Sequence, residues 1–357
     1  VRLGRIALIT LLGLCSQPAH AESFVAAVAD YYKERSTRVM APSIATQLEL
    51  PDDWRVSGRI LVDQITSASG AFTATDEPFT ERRYEVGANV DKRLNGWLRP
   101  GMTAKYSTES DYTSVTGGGS LTALLNNELS TITGALQYQH DWVGRRTSDN
   151  SSGARQQGAD EFAEKLQTLY LSLAGTQIVN RNLLVGATLK IEVMRGFLEN
   201  VYRQEQHPRA REDYALGFFV RHRVPKAGLG FIVETCLHAS SWGHYGVSNQ
   251  VELWWTVNRI LEVVPFVRHY EQPNGPFFEM GAERPDPDNP SGDPISFNTQ
   301  DPTLTGHRTV QFGGRLVFTV RPLRNLKVIP SYFFRYQNTT YGNAHIAQLG
   351  LYWPFSL

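Results

Sequence analysis

The stretch Thr131-Ile132-Thr133-Gly134-Ala135-Leu136-Gln137-Tyr138-Gln139-His140-Asp141-Trp142 decides the fold. One face carries Ile132, Gly134, Leu136, Tyr138, His140 and Trp142, the other Thr131, Thr133, Ala135, Gln137, Gln139 and Asp141. A period of two with one apolar and one polar side is the pattern of a half-buried strand, not of a helix stripe. The pattern recurs. Leu183 to Val193 alternates with Gly186, Thr188, Lys190 and Glu192, Val251 to Val257 with Glu252, Trp254 and Thr256, and Val310 to Val320 with Gln311, Arg315 and Thr319.

Between these segments two classes of connection take turns. The short ones are Pro51–Asp53, Asn95–Gly96, Asn126–Glu128, Asn180–Asn182, Pro225–Gly228, Val257–Arg259 and Arg321–Asn325, rich in residues that accept tight-turn geometry. The long ones lie near 65–78, 108–118, 144–164, 195–211, 241–247 and 272–306. Short turns alternating with long polar loops characterise a transmembrane antiparallel up-and-down β-barrel of the outer membrane, with turns in the periplasm and loops outside. Both chain ends belong on the periplasmic side, so an even strand number is needed. Sixteen is the first choice and fourteen the second. The sixteenth strand is Phe24 to Tyr32, for which a short periplasmic helix is the rival reading.

The rest of the sequence agrees with an exported barrel. Arg2 and Arg5, the apolar run Ile6–Leu14 and Ala19-His20-Ala21 form a secretory signal peptide, with cleavage expected after Ala21 and residues 22–357 left as one barrel domain. A lipoprotein reading on Cys15 is disfavoured, because Leu14 stands where a small residue is needed. Cleavage leaves Cys236 alone, expected as a small buried or lumen-facing residue. No run reaches the length of a membrane-spanning helix. The 357 residues carry 35 basic and 35 acidic side chains, a balance that excludes a nucleic-acid partner, and 11% aromatics, too many for a disordered chain. Trp97, Trp142, Trp242, Trp353, Phe355 and Tyr84 are expected in interfacial girdles. The final register His345, Ala347, Leu349, Leu351, Trp353, Phe355 and Leu357 looks like a signal for the barrel-assembly machinery, although Leu357 stands where an aromatic is usual.

Several stretches resemble a known family. Tyr31-Tyr32-Lys33-Glu34, Arg38-Val39-Met40-Ala41-Pro42-Ser43, Leu61-Val62-Asp63 and Ser67-Ala68-Ser69-Gly70-Ala71 are similar to the opening of bacterial proteins grouped as domain of unknown function number 3570. Tyr106-Ser107-Thr108-Glu109-Ser110-Asp111-Tyr112, Gln348-Leu349-Gly350-Leu351 and Pro354-Phe355 resemble it as well. The resemblance implies an outer-membrane barrel. It implies no activity and transfers no functional residues.

With the apolar register toward lipid, the lumen receives Arg55, Arg59, Asp63, Glu85, Asp91, Arg93, Arg99, Lys105, Lys190, Glu192, Arg221, Arg223, Glu234, Glu252, Glu262, Arg268, Arg315, Lys327 and Arg335, a mixed set with a modest excess of cations. Such charges either pair across strands and stiffen the wall or line a water path and set ion preference. The selectivity candidates are Arg55, Arg59, Arg93, Arg99, Arg221 and Arg223. Asp63, Ser67 and Ser69 form a candidate loop motif, read either as a ligand or loop-anchoring site or as local hydrogen bonding to turn backbone, the favoured reading. Asp286, Asp288, Asn289 and Asp293 lie in the 272–306 loop without the glycine and terminal glutamate of a calcium loop. His238 and His244 make a weak zinc pair, and His207-Pro208-Arg209-Ala210-Arg211 reads as a solvated loop able to meet lipopolysaccharide phosphates.

No nucleophile or metalloprotease motif is present, so no catalytic residue, cofactor or metal is expected. The expectation is a porin-like passive channel of a Gram-negative outer membrane, surrounded by its lipids and lipopolysaccharide. The second reading is a non-conducting structural or adhesion barrel working through its loops. The third is an outer-membrane lipid hydrolase.

Overall fold

The computed structural model describes residues 23–35, 37–67, 79–145, 161–199, 207–275, 304–323, 325–339 and 341–356. The signal peptide, Ser69 and the Asp286–Asp293 carboxylates lie outside the described residues. Sixteen antiparallel strands close on themselves, each paired with its sequence neighbours and β1 with β16. The strands are β1 (Ser23–Lys33), β2 (Thr37–Leu50), β3 (Trp54–Ser67), β4 (Phe79–Lys92), β5 (Leu98–Thr108), β6 (Tyr112–Leu125), β7 (Ser130–Arg145) and β8 (Glu161–Asn180). They continue with β9 (Leu183–Gly196), β10 (Ala210–Val224), β11 (Leu229–Ser240), β12 (Tyr245–Thr256), β13 (Leu261–Gln272), β14 (His307–Val320), β15 (Leu326–Gln337) and β16 (Ala344–Phe355). Among the described residues no α-helix occurs.

The alternation read from sequence sets the two faces of this wall. Ile132, Leu136 and Tyr138 point outward and are about half exposed, as are Val251, Trp255, Phe312 and Leu316 on their strands. Their neighbours Asp141, Glu252 and Arg315 point inward and are buried. The weakly alternating Phe24–Tyr32 segment is a strand, pairing Val25 with Trp353 and Asp30 with Gln348. Closure explains why: without it β16 and β2 would each present a row of unsatisfied backbone groups, which hydrocarbon does not tolerate.

At one end the connections are the short turns expected. Asn95 and Gly96 have φ of 50° and 73°, the left-handed pair of a tight hairpin. Asn126, Asn127 and Glu128 are also left-handed, and Pro51–Asp53, Pro225–Ala227 and Arg321–Leu323 form single 3-10 turns. At the other end two expected long loops are corrected: 108–118 shrinks to 109–111 and 241–247 to 241–244. The Tyr112–Gly119 segment shows little apolar alternation because of its hydroxyls and glycines. It is nevertheless strand, since β7 supplies a full ladder from Tyr112↔Val143 to Leu125↔Ser130.

Candidate functional site

The inner wall is the candidate site, and the predicted arginines fall at its short-turn end. Arg55 Nε donates to Glu49 Oε1 at 2.6 Å and Arg99 Nη1 to Asp91 Oδ1 at 2.9 Å. Glu49 stands directly across from Arg55 and Arg55 from Asp91, so β2 to β4 carry a row of alternating charge that Arg99 on β5 joins from the diagonal, Gly101 being the residue across from Asp91. Arg93 is not on the wall. It lies past β4, where Nε donates to Gly96 O at 2.8 Å and Nη2 to Glu128 Oε1 at 2.5 Å, pinning one turn to the next. Arg59, Arg221 and Arg223 have no carboxylate within ion-pair distance among the described residues. The Arg221 guanidinium packs over Phe219 at 5.1 Å. Arg221 and Arg223 line a cavity of about 550 Å³ with Leu184, Ile232, Trp254 and Glu262.

Register adds wall residues that sequence reading did not single out as lumen charges: Asp30, Glu49, Asp141 and Asp213, and the cations Arg83 and Arg211. Arg82 and Arg83 are adjacent, and only their phase relative to outward Tyr84 and Val86 tells which one enters the lumen. With these included, the modest cation excess does not extend round the whole wall. On β1–β8 inward carboxylates outnumber cations, while on β9–β16 cations outnumber carboxylates. The β2–β5 cations are mostly neutralised, by Glu49, Asp63, Glu85 and Asp91. At the far side of the first arc β6–β8 present mostly neutral polar groups beside Asp141, with Thr122 and Thr133 hydroxyls 3.0 Å apart and the Tyr170 hydroxyl 3.3 Å from Gln139 Oε1. On β13–β15, Arg268, Gln311 and Arg335 stand in one row, and Arg335 Nη2 donates to Gln311 Oε1 at 3.0 Å. Cys236 faces the same lumen, half-buried, with a free thiol.

Asp63 is 5% exposed, and its partner is not the turn backbone favoured from sequence. It accepts a hydrogen bond from Arg83 directly across on β4, a lateral tie between strands. Ser67 ends β3 at the loop end.

The loop end holds a packed collar. Trp242, expected in an outer girdle, is buried: its Nε1 donates to Ala210 O at 2.8 Å, its ring meets His207 edge-on at 5.2 Å, and Arg211 covers it at 4.8 Å. The 207–211 cluster is thus not simply a solvated loop. His207 is buried, and Arg211 Nε donates to Asp213 Oδ1 at 2.8 Å, while Arg209 stays exposed. His244 is buried against Leu304 O, with Nε2 3.3 Å away, and burial lowers its pKa. His238 points into the lumen, and no candidate metal group among the described residues contains either histidine.

Glu81, Glu109 and Asp111 approach within 4.8 Å of one another beside the 109–111 turn. Burial, then the neighbouring Glu81 charge, push the Glu109 carboxyl up to about 7, against the pull of Arg83. A carboxyl raised on folding binds its proton more tightly in the folded state. Its stabilising contribution is therefore full below the ordinary carboxylate pKa and lost as pH rises toward 7. The turn is expected to be more protease-resistant at pH 5 than at pH 8. Glu109→Gln should remove most of that difference, worth on the order of 2 kcal/mol. Equal pH sensitivity in the variant would assign the effect to other groups.

Among solved structures, the likeness to CdiB supports the architecture. CdiB from Acinetobacter baumannii superposes with a TM-score of 0.54 at 9% identity, covering 94% of this chain and 61% of CdiB. The siderophore receptor PirA from the same organism gives 0.47 at 8%, covering 89% and 53%, and a BenF-like porin from Pseudomonas fluorescens Pf-5 gives 0.48 at 9%, covering 95% and 99%. The chain thus spans less than two thirds of CdiB and about half of PirA, and at 9% identity the likeness to CdiB is one of fold. No curated protein matches the sequence. Residues 71–207 match the model of Protein of unknown function (DUF3570), the family the sequence resembles, and the described residues among them supply β4 to β9 of the closed barrel.

Proposed function

We propose that the protein is a passive outer-membrane channel for small hydrophilic solutes, with a bore polarised across its width. The carrying observation is the inner wall. Among the described residues Arg221, Arg223, Arg268 and Arg335 face the lumen with no carboxylate within 4 Å, Glu234 and Glu34 acting on them only from farther off, opposite an arc where carboxylates prevail. Sixteen strands at ordinary spacing and tilt enclose a backbone cylinder of about 30 Å, wide enough for water beyond the side chains. A bore with one basic and one acidic side orients dipolar solutes and gives ions separate paths. No bond is made or broken.

Planar-bilayer conductance tests this reading. Steady steps are expected, and Arg221→Gln with Arg223→Gln and Arg268→Gln should shift the permeability ratio several-fold toward cations. A cationic thiol reagent should label Cys236 from the aqueous phase and lower conductance. A barrel that folds, shows no conductance and leaves Cys236 unlabelled would support the loop-working alternative, which the packed collar around Trp242 favours.

A further inference from the structure

The outward face of five neighbouring strands carries cations with no carboxylate to balance them among the described residues. At the loop end, Phe334 (β15), His345 (β16), Lys33 (β1), Arg38 (β2), Thr66 (β3) and Thr80 (β4) stand in one directly opposed row. Arg82 lies one outward step below, in the row of Gln64 and Met40. Lys33, Arg38, Arg82 and His345 are exposed. Lys33 and Arg38 are direct cross-strand partners, and like charges in that relation repel.

Two other outward cations of the same rim are handled differently, although Lys165 on β8 has no ion pair among the described residues. On β9–β10 outward Arg195 meets Glu212 at 2.9 Å, and on β13–β14 outward Arg308 meets Glu271 at 2.8 Å. On β16 and β1–β4 no outward position is Asp or Glu, so among the described residues Lys33, Arg38 and Arg82 find no carboxylate on that face. Level with Arg82 stand Tyr31, Met40 and Tyr332, one outward step lower come Tyr84 and Leu349, and one further Ile44 and Ile60, all outward. From rim to midplane the top row carries Lys33 and Arg38, the next mixes Arg82 with phenols and Met40, and aliphatic side chains follow. This order matches a lipid with an anionic headgroup and acyl chains lying against the wall. From β1 to β4 the cations span three strand spacings, roughly 14 Å. That is wider than one phosphodiester and suits a headgroup with two separated phosphates.

We propose that this face binds lipopolysaccharide, with Lys33, Arg38 and Arg82 holding the lipid A phosphates and Tyr31, Met40 and Ile44 lying along its acyl chains. The proposal rests on the reading of an outer-membrane barrel with its long loops outward. It concerns the outside of the wall, whereas the channel concerns the inside.

The test is native mass spectrometry of the folded mature protein in detergent, with diphosphoryl lipid A, enzymatically dephosphorylated lipid A and phosphatidylglycerol in competition. The wild type should retain diphosphoryl lipid A. Lys33→Gln with Arg38→Gln and Arg82→Gln should weaken retention at least ten-fold, while the charge-keeping Lys33→Arg, Arg38→Lys and Arg82→Lys set retains it. Arg195→Gln with Arg308→Gln should leave it unchanged. Heat-modifiable gel mobility confirms that each variant is folded. Equal retention of the dephosphorylated lipid, equal competition by phosphatidylglycerol, or undiminished binding by the glutamine set would overturn the proposal. Conductance of the same preparations separates the two readings. Conducting protein without lipid selectivity overturns the lipid site alone, and lipid-selective protein without conductance overturns the channel alone.

Discussion

Replacing Arg315 with methionine is expected to destabilise the barrel by about 3–5 kcal/mol, because it leaves a buried carboxylate without its counterion. Arg315 Nη2 donates to Glu252 Oε2 at 2.5 Å, with both side chains less than a tenth exposed. Trp254 Nε1 donates to the same oxygen at 3.2 Å, and its ring lies 5.1 Å from the guanidinium carbon. Around them Val264, Val317 and Ile329 form an apolar cluster on the inner wall, packed against Trp254. The pair is thus shielded by apolar packing, and the orphaned charge is not readily rehydrated. Denaturant unfolding in detergent should show the loss, and Glu252→Gln with Arg315→Met should recover more than half of it. A single-variant cost below about 1 kcal/mol would mean that lumen water reaches Glu252 after all.

Strand existence and facing were legible because hydrocarbon on one side and water on the other enforce a period of two. Leu183–Val193 and Val310–Val320 show it directly. Turns were legible where left-handed backbone selects residue type, as at Asn95 and Gly96. Legibility failed where facing depends on a partner strand. The glycines 117–119 carry no side chain to mark a face, and their strand is specified by pairing with Leu136, Gln137 and Tyr138. Trp242 was misplaced because its composition fits a lipid interface equally well, whereas the ring is claimed by His207 and Arg211 from another loop base. The ion-pair pattern was beyond sequence reading for the same reason. Arg55 and Arg59 look alike in one strand, yet only Arg55 has an acidic partner, Glu49, across the ladder.

The largest expected loss comes from a residue with no chemistry of its own. Gly313 on β14 points inward between Phe266 on β13 and Phe333 on β15, both directly across from it. Those rings meet edge-to-face at 5.2 Å, closing over a position that has no side chain. Its φ of 153° and the neighbouring backbone leave no room for one: an added Cβ would sit 2.1 Å from Tyr332 O and 2.7 Å from Phe333 Cα. Gly313→Val should therefore cost more than about 4 kcal/mol, in the range where strand pairing itself is disturbed. Gly134, on the outward face with nothing within 4 Å of an added Cβ, is the matched control, and Gly134→Val should fold normally. Adding Phe333→Ala to Gly313→Val distinguishes two causes. If ring crowding were the conflict, removing the ring would restore folding. The close contacts are with backbone atoms of β15, so no rescue is expected. A double variant with the unfolding midpoint of Phe333→Ala alone would show that β14 can shift away from β15, and that closure there is looser than the register implies.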